Sequence, residues 1–301
     1  MPLEAERFLQ AVRTRLEPLR GTRVYEPITR DILAKTEQVD AGYARWLGQL
    51  LPYLASECGV HGMPRILDFG CGLGELTVLM NTLGYEAVGI DLHEEHLALA
   101  RLLARENGIP ETRFVLHDGG KVPFQDKSFD LVTLFVVLEH LSDEVLDRVL
   151  PDLARVCSGG IFVQVPNRFQ TKDDHTALRL VPWMPRRLAE WYVRLRGSRH
   201  RYAISRDETW DVHYRTYASI RRRLERHGLG VRFVPDELVY PPLEVAKPLF
   251  PLEGKPLWKR AAFALVRVGA QLLARGRAPR QAWYPYLNLL VTPTAPAASS
   301  S

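Results

Sequence analysis

The stretch Ile66–Thr77, ILDFGCGLGELT, decides the fold. A short apolar run ends at Phe69, glycines follow at positions 70, 72 and 74, and residues with helical spacing begin at once. An apolar strand that turns on glycines into a helix is the opening unit of a doubly wound α/β sheet. In an open parallel sheet, ligands bind beyond the carboxyl ends of the strands, so the loop after this first strand is the prime location for a site.

The same alternation continues outward. EAVGID is a second strand, RFVLHD a third, FDLVTLFVV a fourth and GGIFVQVPN a fifth. Between them lie the amphipathic helices LGELTVLMNTLG, HEEHLALARLLARENG and SDEVLDRVLPDLARVCSGG, the last capped by Ser142 or Asp143. YASIRRRLERHGLG reads as a further helix, VRFVP as a sixth strand and YLNLLVT as the closing strand. Apolar strands separated by helices predict a mostly parallel, seven-stranded Rossmann-like sheet with helices on both faces. Residues 1–60 carry helical patterns and read as an N-terminal helical cap on a domain spanning 61–301. Two segments break the rhythm: an Arg- and Trp-rich insert at 167–212 and a basic, amphipathic helical insert at 236–285. The small, polar end at 293–301 reads as a disordered tail.

The charges beside the glycines restrict the ligand. Position 75, three after Gly72, is Glu75, so the dinucleotide fingerprint G-x-G-x-x-G fails, and no Gly-Lys-Ser/Thr follows for a phosphate loop. Asp68 and Glu75 flank a helix N-terminus that would otherwise attract a pyrophosphate. They suit a cationic ligand; S-adenosylmethionine carries an ammonium and a sulfonium and no phosphate. Asp91 ends strand two, 17 residues past Gly74, where a carboxylate can accept both ribose hydroxyls. Asp118 ends strand three, placed to accept from an adenine amino group. Taken singly, these glycines could be turns and Asp91 a helix cap.

The stretches ILDFGCGLGELT, VGIDLHEEHLALAR, FVLHDGGKVPFQDKSFDLVTLFVVLEHLSD and YASIRRRLERHGLGVRF, within Ile66–Phe233, resemble the class I S-adenosylmethionine-dependent methyltransferases. The likeness is to the subgroup with quinone and small-molecule acceptors. The resemblance implies Asp68, Gly70 and Gly72 near the methionine moiety, with Cys71 and Gly74 in the same loop. It implies Asp91 at the ribose, Asp118 with Gly119 at the adenine, and Phe135 lining the channel to the methyl group; Leu92 is a further expected cofactor contact. It also implies a final antiparallel strand.

Methyl transfer needs in-line alignment above all, and a hydroxyl acceptor also needs a base. His140, in VLEHLSD after strand four, and His175 and His213, after strand five, are the candidate catalytic residues. Each has a plainer alternative: His140 as a packed helix-start residue, the other two as surface histidines. The expected acceptor site draws on Arg168, Asp174, Trp183, Arg186, Arg187 and Tyr214, an anion-binding set that suits a phosphate-bearing, glycan, lipid-linked or quinone-like molecule. Arg stems that merely cover apolar surface are the alternative. No metal site is expected: HEEH at His93–His96 lacks the spacing of a zinc-protease motif and reads as a solvated helix face, and Asp173 with Asp174 lacks further ligands.

The chain has 301 residues, 46% hydrophobic and 25% charged, with a net charge of +5. The two inserts each carry +4, which leaves −3 for the rest, so the basic excess is local. A basic amphipathic helix with Trp258, Ala262, Leu265, Val268 and Leu272 on one face can lie on an anionic membrane surface. The N-terminus reads as no secretory signal, no apolar run reaches a membrane span, and three scattered cysteines fit a reducing cytoplasm, so a cytoplasmic or membrane-peripheral protein is expected. The leading function is methyl transfer to a small-molecule oxygen in a biosynthetic pathway. RNA methylation is an alternative raised by the basic pI, against which no RNA-binding module or Asn/Asp-Pro-Pro-aromatic motif is present. A non-catalytic S-adenosylmethionine-binding protein is the third. The sequence sets no oligomeric state.

Overall fold

The computed structural model describes residues 3–20, 42–170, 172–173, 175–176, 178–196, 212–239, 256–258, 260–261, 264–265 and 279–294. In chain order the elements are α1 (Glu6–Leu16), α2 (Ala44–Glu57), β1 (Arg65–Phe69), α3 (Glu75–Thr82), β2 (Glu86–Asp91), α4 (Glu94–Glu106), β3 (Phe114–Leu116), β4 (Phe129–Phe135), α5 (Asp143–Val156) and β5 (Cys157–Pro166). They continue with α6 (Arg186–Arg196), α7 (Tyr217–Arg226), β6 (Leu229–Phe233) and β7 (Tyr286–Pro293). The seven strands form one sheet in the order β3-β2-β1-β4-β5-β7-β6. β7 runs antiparallel to both β5 and β6, and the other pairings are parallel. The predicted doubly wound sheet is therefore the observed one.

The near-continuous apolar strands follow from burial on both faces. Leu67, Val132, Val163 and Leu289 pack with Leu146, Leu150 and Leu153 of α5 and Ile220 and Leu224 of α7. Their strand neighbours Ile66, Leu131, Phe162 and Leu290 pack with Trp46, Leu50 and Leu54 of α2 and Leu79 and Met80 of α3. Successive side chains point to opposite faces, so each strand feeds both layers. α1 joins the core through Phe8, Val12 and Leu16, which pack on Leu97, Ala100 and Leu103 of α4. Glu106 binds this helix's N-terminus, accepting from the Arg7 and Phe8 N–H groups at 2.7 and 3.0 Å. Of the two candidate caps on α5, Ser142 does the work, accepting from Val145 N–H at 3.3 Å.

Several boundaries differ from the sequence expectation. β3 stops at Leu116, so Asp118 lies two residues beyond the strand. β4 stops at Phe135, because Val136 takes a left-handed φ of 58°. The first insert holds a short 3₁₀ turn, Val181–Trp183, and α6, anchored by buried Val181, Ala189 and Val193. β7 runs to Pro293, and Thr294 N–H and Oγ1 both donate to Gly228 O, so the first two residues assigned to the tail belong to the sheet edge. Residues 295–301, Ala262, Val268 and Leu272 lie outside the described residues. Among the described residues, no helix is long and apolar enough to cross a membrane.

Candidate active site

The carboxyl edge of β1 turns on three glycines, all with left-handed φ: 74° at Gly70, 56° at Gly72 and 83° at Gly74. The reasons differ. A Cβ on Gly70 would lie 2.8 Å from Val137 Cγ1, and one on Gly74 would lie 2.6 Å from Ala100 Cβ. A Cβ on Gly72 would meet nothing within 4 Å. Gly70 and Gly74 therefore serve chain packing, while Gly72 borders open space that a ligand can fill.

Asp91, at the end of β2, holds this loop. Its Oδ2 accepts from Gly72 N–H at 3.0 Å, and its Oδ1 accepts from His93 N–H at 2.9 Å. His93 and His96 place Nδ1 atoms 3.1 and 3.4 Å from Oδ1, the second outside hydrogen-bond geometry. Burial alone would raise the Asp91 pKa, but His96 and the backbone N–H groups of His93 and Gly72 outweigh it and hold the carboxyl at about 2. The ionised group keeps lone pairs for further donors. His96 is thus no solvated-face residue: its side chain is only 18% exposed and its ring lies 4.7 Å from that of His93.

Asp68 and Glu75 are both buried. Asp68 accepts from Thr77 Oγ1 at 2.6 Å and Thr133 Oγ1 at 3.1 Å, so it lies under the loop and ties β1 to β4 and α3. Asp118 is fully open, its Oδ1 accepting from Gly120 N–H at 2.8 Å, with Gly119 (φ 82°) and the half-exposed Leu92 beside it. Burial raises the Cys71 thiol well above its usual pKa, so it stays protonated. Phe135 packs edge-on against Trp46 at 5.7 Å and tilted against Phe162 at 5.6 Å.

On the other side of β4, the strained Val136 swings the chain into the 3₁₀ turn Leu138–His140. This drives Glu139 into the interior, fully buried, with neither carboxylate oxygen hydrogen-bonded. Burial raises its pKa, opposed by His140 and His175. His175 sits between two carboxylates: Nε2 is 3.7 Å from Glu139 Oε1, and Nδ1 is 3.4 Å from Asp173 Oδ1. Its ring lies edge-on to His140 at 5.1 Å. Asp173 is buried, yet the nearby His175 and hydrogen bonds from Thr176 and Tyr214 overcome burial and hold it at about 2. His213 donates its N–H to Glu139 O at 2.6 Å, and its Nδ1 lies 3.3 Å from Arg186 Nη1.

The fold thus gathers His140, His175 and Tyr214 in one cluster, and Arg168, Arg186, His213 and Tyr214 along one cavity of about 720 Å³. Arg187 is exposed and does not line it. Trp183 does not line it either; its indole donates to Gln170 O at 2.7 Å and braces Phe169. Asp174 lies outside the described residues. Among the described residues, two groups have ligand atoms within 4.8 Å of one another, Asp91–His93–His96 and Glu139–His140–His175, a proximity the HEEH and VLEHL spacings do not reveal.

A family described as a methyltransferase domain matches residues 66–160, the stretch that holds the glycine loop, Asp91, Asp118 and the Leu138–His140 turn. Residues 66–160 therefore carry a methyltransferase domain. A ubiquinone biosynthesis O-methyltransferase of Bordetella pertussis is 31% identical over 139 residues, 44% of this chain and 57% of that protein. A demethylmenaquinone methyltransferase of Thermus thermophilus is 36% identical over 98 residues, 32% of this chain and 43% of that protein. An uncharacterized methyltransferase, YcgJ of Bacillus subtilis, is 32% identical over 92 residues, 31% of this chain and 36% of that protein. The chain thus spans less than two thirds of the length of each of these relatives. A methyltransferase structure from Mesorhizobium loti superposes with a TM-score of 0.47 at 19% identity, over 82% of this chain and 97% of that one.

The methyltransferase domain fits S-adenosylmethionine on its own chemistry. It offers open space at Gly72, an ionised Asp91 whose Oδ2 accepts from Gly72 N–H, and an open carboxylate at Asp118. Sequence reasoning missed Glu139 as a site residue and gave Asp173 no partner. It also passed over Arg222 and Arg226 of α7, although their i, i+4 spacing in RRRLER places them on one helix face.

Proposed function

We propose that this chain transfers the methyl group of S-adenosylmethionine to an oxygen of a small-molecule acceptor. The methyltransferase-domain match over the glycine loop and the ionised Asp91 carries the reading. The ubiquinone and demethylmenaquinone relatives favour a small molecule. The cofactor supplies an activated methyl on a sulfonium. Gly72 would let it approach the backbone, Asp91 would accept from the ribose hydroxyls, Leu92 would cover an apolar side and Asp118 would accept from the adenine amino group.

The chain's remaining task is to hold and deprotonate the acceptor. His175 takes the hydroxyl proton. Asp173 fixes the ring from Nδ1, and the imidazolium that forms lies between Asp173 and Glu139. His140 packs the ring from its edge and His213 borders the acceptor cavity.

Incubation with methyl-labelled cofactor and fractionated metabolite, lipid and RNA extracts tests this function. Label in a metabolite or lipid supports it. Label confined to RNA refutes the acceptor class, and cofactor binding without any labelled product refutes catalysis.

A further inference from the structure

The cavity beside His175 has a strong charge imbalance. Six arginines line it, Arg168, Arg186, Arg215, Arg222, Arg223 and Arg226, with Asp143 as the only acid among its described lining residues. Asp143 is already engaged, 2.7 Å from Arg215 Nη2 and 2.6 Å from Arg223 Nη2. Arg215 is otherwise structural, donating to Leu138 O and Leu141 O. Arg223 also pairs with Asp147, and Arg186 with Glu190 at 3.0 Å. No carboxylate among the described residues pairs with Arg168, Arg222 or Arg226.

These three guanidiniums come from two places: Arg168 from just past the end of β5, Arg222 and Arg226 from one face of α7. α7 is a rigid carrier, closed at its start by a reciprocal Thr216–Ser219 capping box and seated through Ile220 and Leu224. Arginines held on a packed helix outside any ion pair among the described residues are arranged for an anion that arrives from outside, and their forked donors match phosphate oxygens. At about 720 Å³ the cavity exceeds what a lone phosphate fills and lies in the range of small-molecule sites. Met184, Pro182 and Val212 add apolar wall for an organic body. Its wall is linked to the reacting cluster through Tyr214, a lining residue that donates to Asp173, which flanks His175.

We infer that the methyl acceptor carries a phosphoryl or diphosphate group, anchored by Arg168, Arg222 and Arg226 while its hydroxyl lies at His175. This rests on the proposed methyl transfer for the acceptor's role, but the anion site stands on the cavity alone.

The test titrates the full chain calorimetrically with inorganic pyrophosphate, with uridine diphosphate as a soluble organic probe, and by co-sedimentation with phosphatidylcholine vesicles with and without phosphatidic acid. Arg222→Gln/Arg226→Gln removes two anchors that make no ion pair, and Arg221→Gln removes a charge from the same helix outside the cavity. The double variant is expected to weaken pyrophosphate binding by about tenfold or more, while Arg221→Gln leaves it unchanged. A matching loss toward uridine diphosphate assigns a soluble phosphorylated acceptor, and one toward phosphatidic acid vesicles a lipid-borne one. S-adenosylmethionine affinity, measured on the same samples, stays unchanged; its absence in the wild-type chain would sink the methyl-transfer reading without touching the anion site. No pyrophosphate binding, equal loss in the Arg221→Gln control, or a single-stranded RNA bound more tightly than every phosphate probe and lost in the double variant would overturn the inference.

Discussion

Alanine at Gly72 and at Gly74 should separate ligand binding from folding within one loop. Both glycines have left-handed φ, 56° and 83°, where an L side chain costs about 1–2 kcal/mol. Alanine recovers about 0.4–1 kcal/mol by narrowing the unfolded ensemble. At Gly72 nothing lies within 4 Å of the added Cβ, so Gly72→Ala should cost a net of about 1 kcal/mol. At Gly74 the Cβ would stand 2.6 Å from Ala100 Cβ and 2.8 Å from Phe114 Cε1, both in the buried layer between α4 and β3. Overpacking there adds about 1–3 kcal/mol, so Gly74→Ala should lose about 2–4 kcal/mol, a large part of a typical domain's stability. The order for cofactor binding is the reverse. The Gly72→Ala methyl enters the space the ligand fills and should weaken S-adenosylmethionine by about tenfold or more, equivalent to about 1.4 kcal/mol. The folded fraction of Gly74→Ala should bind with smaller loss. Urea unfolding gives the stabilities and calorimetric titration the affinities. A Gly72→Ala protein that is folded and binds the cofactor as the wild type does would refute the cradle, and a larger stability loss at Gly72 than at Gly74 would refute the packing argument.

Further outcomes follow from the same geometry. His175→Ala should lower turnover on a hydroxyl acceptor by about a hundredfold with cofactor affinity unchanged; undiminished turnover removes it as the base. Asp91 and Asp173 both have pKa values lowered from 3.8 to about 2, so between those values the unfolded chain binds more protons and stability rises with pH. Their contribution, about 2 kcal/mol each, is complete above the usual carboxylate range and is lost as pH falls through about 2. Acid titration of unfolding should show this loss, and Asp91→Asn and Asp173→Asn should each flatten it; curves parallel to the wild type would contradict the assignment. Leu257, Trp258 and Leu265 are exposed, which predicts co-sedimentation with anionic vesicles at low salt that weakens in Trp258→Ala. Absence of any pelleted protein would dismiss that contact.

The alternation of apolar strands and amphipathic helices was legible residue by residue, because periodicity is a local property that survives without knowledge of partners. The Gly70–Gly74 loop and Asp91 were legible for the same reason: in a parallel sheet, strand ends share one edge, so position along the chain implies position in space, whereas Asp118 falls two residues past its strand. The charge argument about Asp68 was legible only in type. Its direction, inward to Thr77 and Thr133, depended on β4 and α3 closing over it.

From the sequence alone came the sheet, the glycine loop and the sign of the charge in the inserts. It could not place Glu139, since the left-handed turn at Val136 that buries it breaks the preference of a β-branched residue and is enforced by the surrounding packing. Nor could it separate Arg186, which lines the cavity, from its neighbour Arg187, which does not. Arg168, Arg186, Arg222 and Arg226 meet because β5, α6 and α7 converge on the same edge of the sheet. That convergence is a long-range contact between segments far apart in the chain, set by core packing, and only the tertiary structure decides it.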